Sequence, residues 1–517
     1  MSLLHSCIAL VPILWLVIAL TVLKLPGHKA CVSAFCVAIL LALLFWKMPA
    51  PDLVTSALEG FASALWPIIL VIIAAIFTYN LSLKTGAMEV IKRMLTRVSC
   101  DKRVLILLIG WCFGSFLEGM AGFGTAIAIP ASMLAAMGMQ PVAACLVCML
   151  ANAFPTAFGS VGIPTVTLAS VTGLDALPLS FTTVFAMAPF MVLVPFLMVI
   201  VGGGGVKALK GMVGLTLVSG LSFLLPELVV SKFVGPELTV IVGCVVSLLC
   251  TVLLARARRG KPVPAEYDLS AGETTVTAGA APTMSPFKAW LPFVLILVFL
   301  LCTSKLVPPV NALLSVFKTT VTISSAATAT ATTFAWLNTP GILIFLAAII
   351  GGLVQKASGK LMLETLKATF KQMAKTIITI MSVMAMAKIM IYSGMIADMA
   401  HLFVTLTGRF YPFVAPIIAA IGAFVTGSGT NTEVLLGTLQ TEAASAIGVS
   451  QYWLAAANSL GAGIGKIMSP QCIATAVAAV QLTGKDSTLL RGILKWAALL
   501  LLLACLMVGL MQGFSPA

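Results

Sequence analysis

The amino-acid sequence predicts an all-α polytopic membrane protein, with about twelve transmembrane helices and two re-entrant hairpins in two inverted repeats that contain broken helices. Three observations predict this. Of 517 residues, 60% are hydrophobic and 9% charged, and the mean hydropathy is +1.13, a balance no soluble globular domain needs. A pattern recurs: ANAFPTAFGSVGIP from Ala151 and ANSLGAGIGKIMSP from Ala457 share Ala-Asn, then a Gly seven residues after the Asn and a Pro five further on. Lys and Arg fall in clusters, so that each loop acquires a side.

The elements follow in order. Apolar runs of about 16 to 19 residues, such as 7–23, 31–46, 183–201 and 238–254, are long enough with their flanks to cross about 30 Å of hydrocarbon as helices. The first has neither a basic start nor a small-residue cleavage site and is read as a retained helix, within an N-terminal helical region 1–60. Basic clusters at 84–103, 207–210, 256–261, 356–375 and 485–495 are cytoplasmic by the positive-inside rule. No Lys or Arg lies between Arg103 and Lys207. A hairpin at about 104–137 therefore returns to its own side, a broken helix at about 141–169 runs outward and 183–201 runs back, completing a first repeat over 61–201. A central block, 202–366, holds further helices, a cytoplasmic linker 256–286 and a Thr/Ser/Ala-rich outer loop 305–338.

The inversion comes from the second repeat, 367–482. Segment 377–392 ends outside, whereas its counterpart 66–83 ends inside. Gly86 falls opposite Gly394, and Phe116 with Gly119 opposite Phe424 with Gly427, at an offset of 308. A second hairpin at about 412–447 then dips in from outside, and a second broken helix at about 453–480 runs inward. The C-terminal helix occupies 483–517, with both termini outside.

Unpaired backbone groups cost several kcal/mol in hydrocarbon, so interrupted helices belong where they are buried in protein or line a polar cavity. Gly119, Gly122 and Gly124 interrupt one hairpin and Gly427 and Gly429 the other; Gly159, Gly162 and Pro164 break one long helix, and Gly461, Gly463, Gly465 and Pro470 its partner. Paired interruptions of this kind mark the substrate site of a secondary transporter, and half-helix N-termini suit a small anion. Close packing alone would explain the glycines but not the Thr, Ser and Asn beside them. The expected substrate-binding residues are Gly122, Gly124, Thr125, Asn152, Ser428, Thr430, Asn431, Asn458, Ser459, Lys466 and Gln471. Glu118, with no basic residue near it in sequence, is expected to gain and lose a proton near neutral pH and so couple transport; a structural hydrogen bond is the alternative. Lys388 and Glu433 are charge partners: Lys466 and Lys388 can attract a carboxylate or pair with Glu118 or Glu433, a snorkelling or structural pairing role is the alternative for Lys388 near the outer end, and Glu433 lies near a solvated tip.

Other chemistry is missing from the sequence. The net charge of +14 sits in short loops and does not indicate nucleic acid. Twelve cysteines lack metal-site spacing, and Cys145 with Cys148 read as packing residues. GAGIGK from Gly461 fails as a phosphate loop, with Leu460 and Ile467 at its outer positions. His5, His28 and His401 form no zinc pair and no Gly-x-Ser-x-Gly elbow occurs, so neither an enzyme nor a metal or other cofactor is expected.

The strings FLEGMAGFGTAIAIPASMLAAMG from Phe116, ANAFPTAFGSVGIP, GSGTNTEVLLGTLQ from Gly427 and LAAANSLGAGIGKIMSPQCIATA from Leu454 resemble the lactate permease family. The resemblance implies proton symport of a small 2-hydroxymonocarboxylate, lactate or glycolate, across a bacterial plasma (inner) membrane. The second hairpin departs from the family, with Gly429 where an acidic residue is expected. A wider similarity to the ion transporter superfamily implies an elevator-like mechanism. A sodium-coupled carboxylate transporter and an anion channel are the alternatives. The implied partners are the monocarboxylate anion, a proton, the lipid bilayer and a second copy in a homodimer.

Overall fold

The computed structural model of the protein describes residues 3–122, 124–258, 262–269, 284–304, 306–329, 331–482 and 485–514. Parts of the expected linker (259–261 and 270–283) and outer loop (305 and 330) lie outside the described residues. The chain is a bundle of apolar helices. Among the described residues ten are long and apolar enough to cross a membrane, or eleven when the bent pair Pro141–Ala151 and Pro155–Thr172 is taken as one span. The ten include the first hairpin arm, Lys102–Met120, while His5–Leu20 and Pro340–Val354 are shorter apolar helices.

Two 35-residue helices, Ala50–Lys84 and Gly359–Ser393, form an inversion-related frame. Ala50–Lys84 kinks at Trp66 (φ −131°, ψ 118°), which Pro67 pushes out of the helical region. The two helices cross and are cross-linked at both ends of the contact. Toward one end, Lys388 pairs with Glu59 at 2.7 Å and the Tyr392 hydroxyl donates to both Glu59 oxygens. Toward the other, the Asn80 amide donates to Thr369 Oγ1 (3.0 Å) and Gln372 Oε1 (2.9 Å). Between them Gly60 lies flat on the backbone of Ala385, a contact that any side chain would block.

The hairpins and broken helices pack against this frame. The first hairpin has arms Lys102–Met120 and Thr125–Ala136; the second has Tyr411–Thr426 and Gly429–Ile447. Its arms are joined through Gly427 at φ +66°, where a Cβ would be strained. The first broken helix runs Pro141–Ala151, Pro155–Phe158 and Gly159–Thr172, with a 57° bend, and the second runs Gln451–Met468 and Pro470–Ala479. Gly461 and Gly465 press on the carbonyls of Pro416 and Ala420, and Gly463 on that of Ala153, so the second broken helix touches both its own hairpin and the first repeat through bare backbone. Tyr267 of the linker lies 4.1 Å from the Arg103 guanidinium, tying the linker to the base of the first hairpin.

The stretch expected as a plain outer loop carries a helix, Pro308–Ser315, and two antiparallel strands, Lys318–Val321 and Thr332–Ala335, with Lys318 opposite Ala335. The β-branched run of Thr and Val favours that extended pairing. The hairpin rests on the frame: Trp66 Nε1 donates to the Ala335 carbonyl at 2.7 Å, and the Ser56 and Ser324 hydroxyls meet at 3.0 Å.

Candidate functional site

Both hairpin tips and both helix breaks open onto one cavity of about 450 Å³. It extends past Thr376 and Thr379 of the frame to Lys375 and His28, and so opens toward the face of the basic loops. By the positive-inside rule that face is expected to be cytoplasmic.

At the bottom lies a buried ion pair. Lys466 Nζ donates to Glu118 Oε1 at 2.8 Å and to Thr156 Oγ1 at 2.8 Å, and Asn152 Nδ2 donates to Glu118 Oε2 at 2.8 Å. Glu118 is 3% exposed and Lys466 8%. Local sequence places each group. Pro470 and the Ser469 cap, which accepts from the Cys472 N–H at 3.2 Å, stop the preceding helix at Met468 and leave Lys466 in its last turn, where a cation opposes the helix dipole. Gly159 lets Glu118 approach, since a Cβ there would lie 2.8 Å from Oε1. The break itself is three consecutive left-handed residues, Ser160 (φ 46°), Val161 (φ 59°) and Gly162 (φ 77°), of which the β-branched Val161 is strained. Ser160 Oγ pins the break to the first hairpin tip by donating to the Ala121 carbonyl at 3.0 Å.

Two helix N-termini face the cavity. Ser428 caps Gly429–Ile447 by accepting from the Asn431 N–H, and Gly429, Thr430 and Asn431 line the cavity; Gln471 and Cys472 at the start of Pro470–Ala479 line it from the other side. A lysine ammonium, free helix N–H ends and hydroxyls around one polar space can hold a small carboxylate.

The family model for L-lactate permease matches residues 5–513. The chain belongs to the L-lactate permease family. An L-lactate permease of Streptococcus iniae is 42% identical over 454 residues, covering 87% of this chain and 93% of that one. Those of Escherichia coli (strain K12) include an L-lactate permease, 36% identical, and a glycolate permease, 34% identical, each covering 94% of this chain and 92% of its own. The fold resembles that of the Alcanivorax borkumensis YdaH transporter, with a TM-score of 0.53 at 15% identity over 95% of this chain and 99% of that one.

Of the residues that sequence singled out in this L-lactate permease family member, Glu118, Gly122, Gly124, Ser428, Thr430, Asn431, Lys466 and Gln471 line the cavity. Asn152 stands behind it on Glu118, and Thr125 closes the first tip by donating to the Gly122 carbonyl at 2.8 Å. Asn458 and Ser459 do not line it; the Asn458 amide donates to Glu433 Oε2 at 2.7 Å. Glu433, expected near solvent, is 1% exposed because the helix turns it toward Asn458 and away from the tip. Glu118, with no basic residue near it in sequence, pairs with Lys466, one of the two lysines expected as its partner, which the fold brings in from 348 residues along the chain. Lys388 does not reach Glu118 or Glu433; it takes the alternative of a structural pairing, with Glu59 on the facing frame helix. Sequence reasoning gave Thr156 no place among the binding residues and passed over Thr379 and Glu59; for Glu59, an acid inside an apolar frame helix was the available signal.

Proposed function

We propose that this protein is a secondary transporter that takes up a small 2-hydroxymonocarboxylate, lactate or glycolate, together with a proton. The names of its relatives and the anion-suited cavity support the substrate class, and the Lys466–Glu118 pair carries the coupling. In the empty carrier the two charges cancel. A substrate carboxylate competes with Glu118 for the Lys466 ammonium, and binds well once Glu118 has taken a proton and let the lysine go. The loaded site, with ammonium, substrate anion and neutral Glu118, is again neutral. The half-loaded forms carry an unpaired buried charge, and removing one partner of a buried pair costs about 3–5 kcal/mol. Only the empty and the fully loaded carrier cross readily, which makes proton and anion obligatory companions. Helix N-termini at Gly429 and Pro470 support the carboxylate, and Thr156, Ser428, Thr430 and Asn431 offer partners to the 2-hydroxyl. The hairpins and broken helices would move against the frame as an elevator in a plasma membrane.

Uptake of labelled L-lactate into proteoliposomes tests this reading. An inwardly directed pH gradient is expected to drive accumulation, and a protonophore to abolish it. Uptake that ignores the pH gradient and follows sodium would overturn proton coupling, and flux without accumulation would indicate a channel.

A further inference from the structure

A second cavity, of about 190 Å³, lies near the outer β-hairpin, and the chemistry above does not use it. Part of its wall is the inversion-related copy of part of the first. Pro67 and Val71 line the small cavity, and the residues 308 further along, Lys375 and Thr379, line the large one. Val166 lines the small cavity, and Cys472, 306 further along, lines the large one. Pro340, opening the helix Pro340–Val354, is followed by Gly341 as Pro26 is by Gly27 before the helix Gly27–Leu44, and each Pro lines the cavity on its own side. Three positions matched at the repeat offsets, and a Pro-Gly helix start on each side, relate the walls of the two cavities.

The left-handed break borders both cavities. Ser160 faces the large cavity and the next residue, Val161, the small one. The symmetry fails in what covers each end. The large cavity opens past His28 and Lys375, whereas Thr333 and Ala335 of the β-hairpin roof the small one, with Trp66 bonded to Ala335.

We propose that the small cavity is the outward-facing half of the substrate path, held shut in this inward-open form. In the outward-open form Pro67 and Val71 line the mouth as Lys375 and Thr379 line it here. The proposal rests on the transport reading but commits to a path rather than to a solute. Its outer frame wall is apolar where the inner wall carries Lys375, Thr376 and Thr379, so a bound carboxylate keeps its polar contacts at the hairpin tips in both forms.

Accessibility of Val71 tests it. Val71 is 1% exposed here and the substitution Val71→Cys is small. In a background with Cys7→Ser, Cys36→Ser and Cys302→Ser, which removes the exposed thiols, a membrane-impermeant maleimide applied outside right-side-out proteoliposomes is expected to label the Val71→Cys protein above the level of that background alone, which controls for Cys472 in the large cavity. Thr379→Cys is expected to label from the inside. A second variant, Val71→Trp, fills the small cavity and is expected to lower lactate uptake by about tenfold or more while purified protein in detergent binds lactate within about threefold of the parent. Absence of outside labelling at Val71→Cys with uptake intact, or full uptake by Val71→Trp, overturns the proposal. Outside labelling in a protein that carries no lactate sinks the substrate reading and leaves the path standing.

Discussion

Lys466 donates to Glu118 across 2.8 Å, and at both positions the repeats differ in charge. At the repeat offsets Glu118 stands opposite Thr426 and Lys466 opposite Ser160, so each residue's symmetry mate is an uncharged hydroxyl. All four line the same cavity. The inversion builds a symmetric space, and one ion pair makes its chemistry one-sided. Two carboxyl–amide pairs underline this: Asn152 and Asn458, which are repeat mates, bond Glu118 and Glu433 respectively, yet only Glu118 also receives a lysine from across the cavity.

Glu118→Gln keeps the shape of the protonated carboxyl and leaves Lys466 unpaired when the site is empty. The loaded carrier still crosses as a neutral site, so exchange of labelled for unlabelled lactate is expected to persist. Net uptake driven by a pH gradient, which needs the empty carrier to return, is expected to fall by about a hundredfold or more. Parallel counterflow and accumulation assays read the split.

Lys466→Met strands the Glu118 carboxylate and is expected to lower stability by about 3–5 kcal/mol. The double variant Glu118→Gln with Lys466→Met replaces the pair by neutral groups and should recover most of that loss. Thermal unfolding in detergent of both singles and the double gives the coupling.

Gly159→Ala places a methyl group 2.8 Å from Glu118 Oε1. The carboxylate must shift off Lys466, with a cost of about 1–3 kcal/mol and a lactate affinity about tenfold weaker or more. Isothermal titration on purified protein checks it.

Glu59→Gln breaks the Lys388 pair inside the frame, where Glu59 is fully buried. Neither residue lines the large cavity. A stability loss of about 3–5 kcal/mol is expected, with lactate affinity of the folded fraction unchanged.

Ser428→Ala removes the cap of Gly429–Ile447 and is expected to cost about 1 kcal/mol and weaken lactate binding about fivefold, with Ser428→Thr recovering most of both. Equal loss in both variants would show that the hydroxyl's position, and not the cap, matters.

Much of this molecule was legible in the sequence. The hairpin arms begin and end within a few residues of where Gly and the charge clusters put them, at Lys102–Met120, Thr125–Ala136, Tyr411–Thr426 and Gly429–Ile447. Gly and Pro also marked the breaks at Ser160–Gly162 and Ser469, because the backbone consequences of those residues are local. The β-strands at Lys318–Val321 and Thr332–Ala335 were missed, since a Thr-rich stretch between spans looks the same as loop or strand until its register is known.

The sequence by itself determined the membrane class, the inversion and the positions of the breaks. Hydropathy, loop charge and Gly/Pro placement act within a turn or two of the residue that carries them, and they add along the chain. Only the tertiary structure decided which carboxyl meets which lysine, that Glu433 turns to Asn458, and which end of the symmetric path is open. Glu118 and Lys466 are 348 residues apart, and Glu59 and Lys388 meet across the frame. Such pairings depend on helix packing through bare glycine backbone, at Gly60, Gly159 and Gly463, and sequence proximity carries no trace of them.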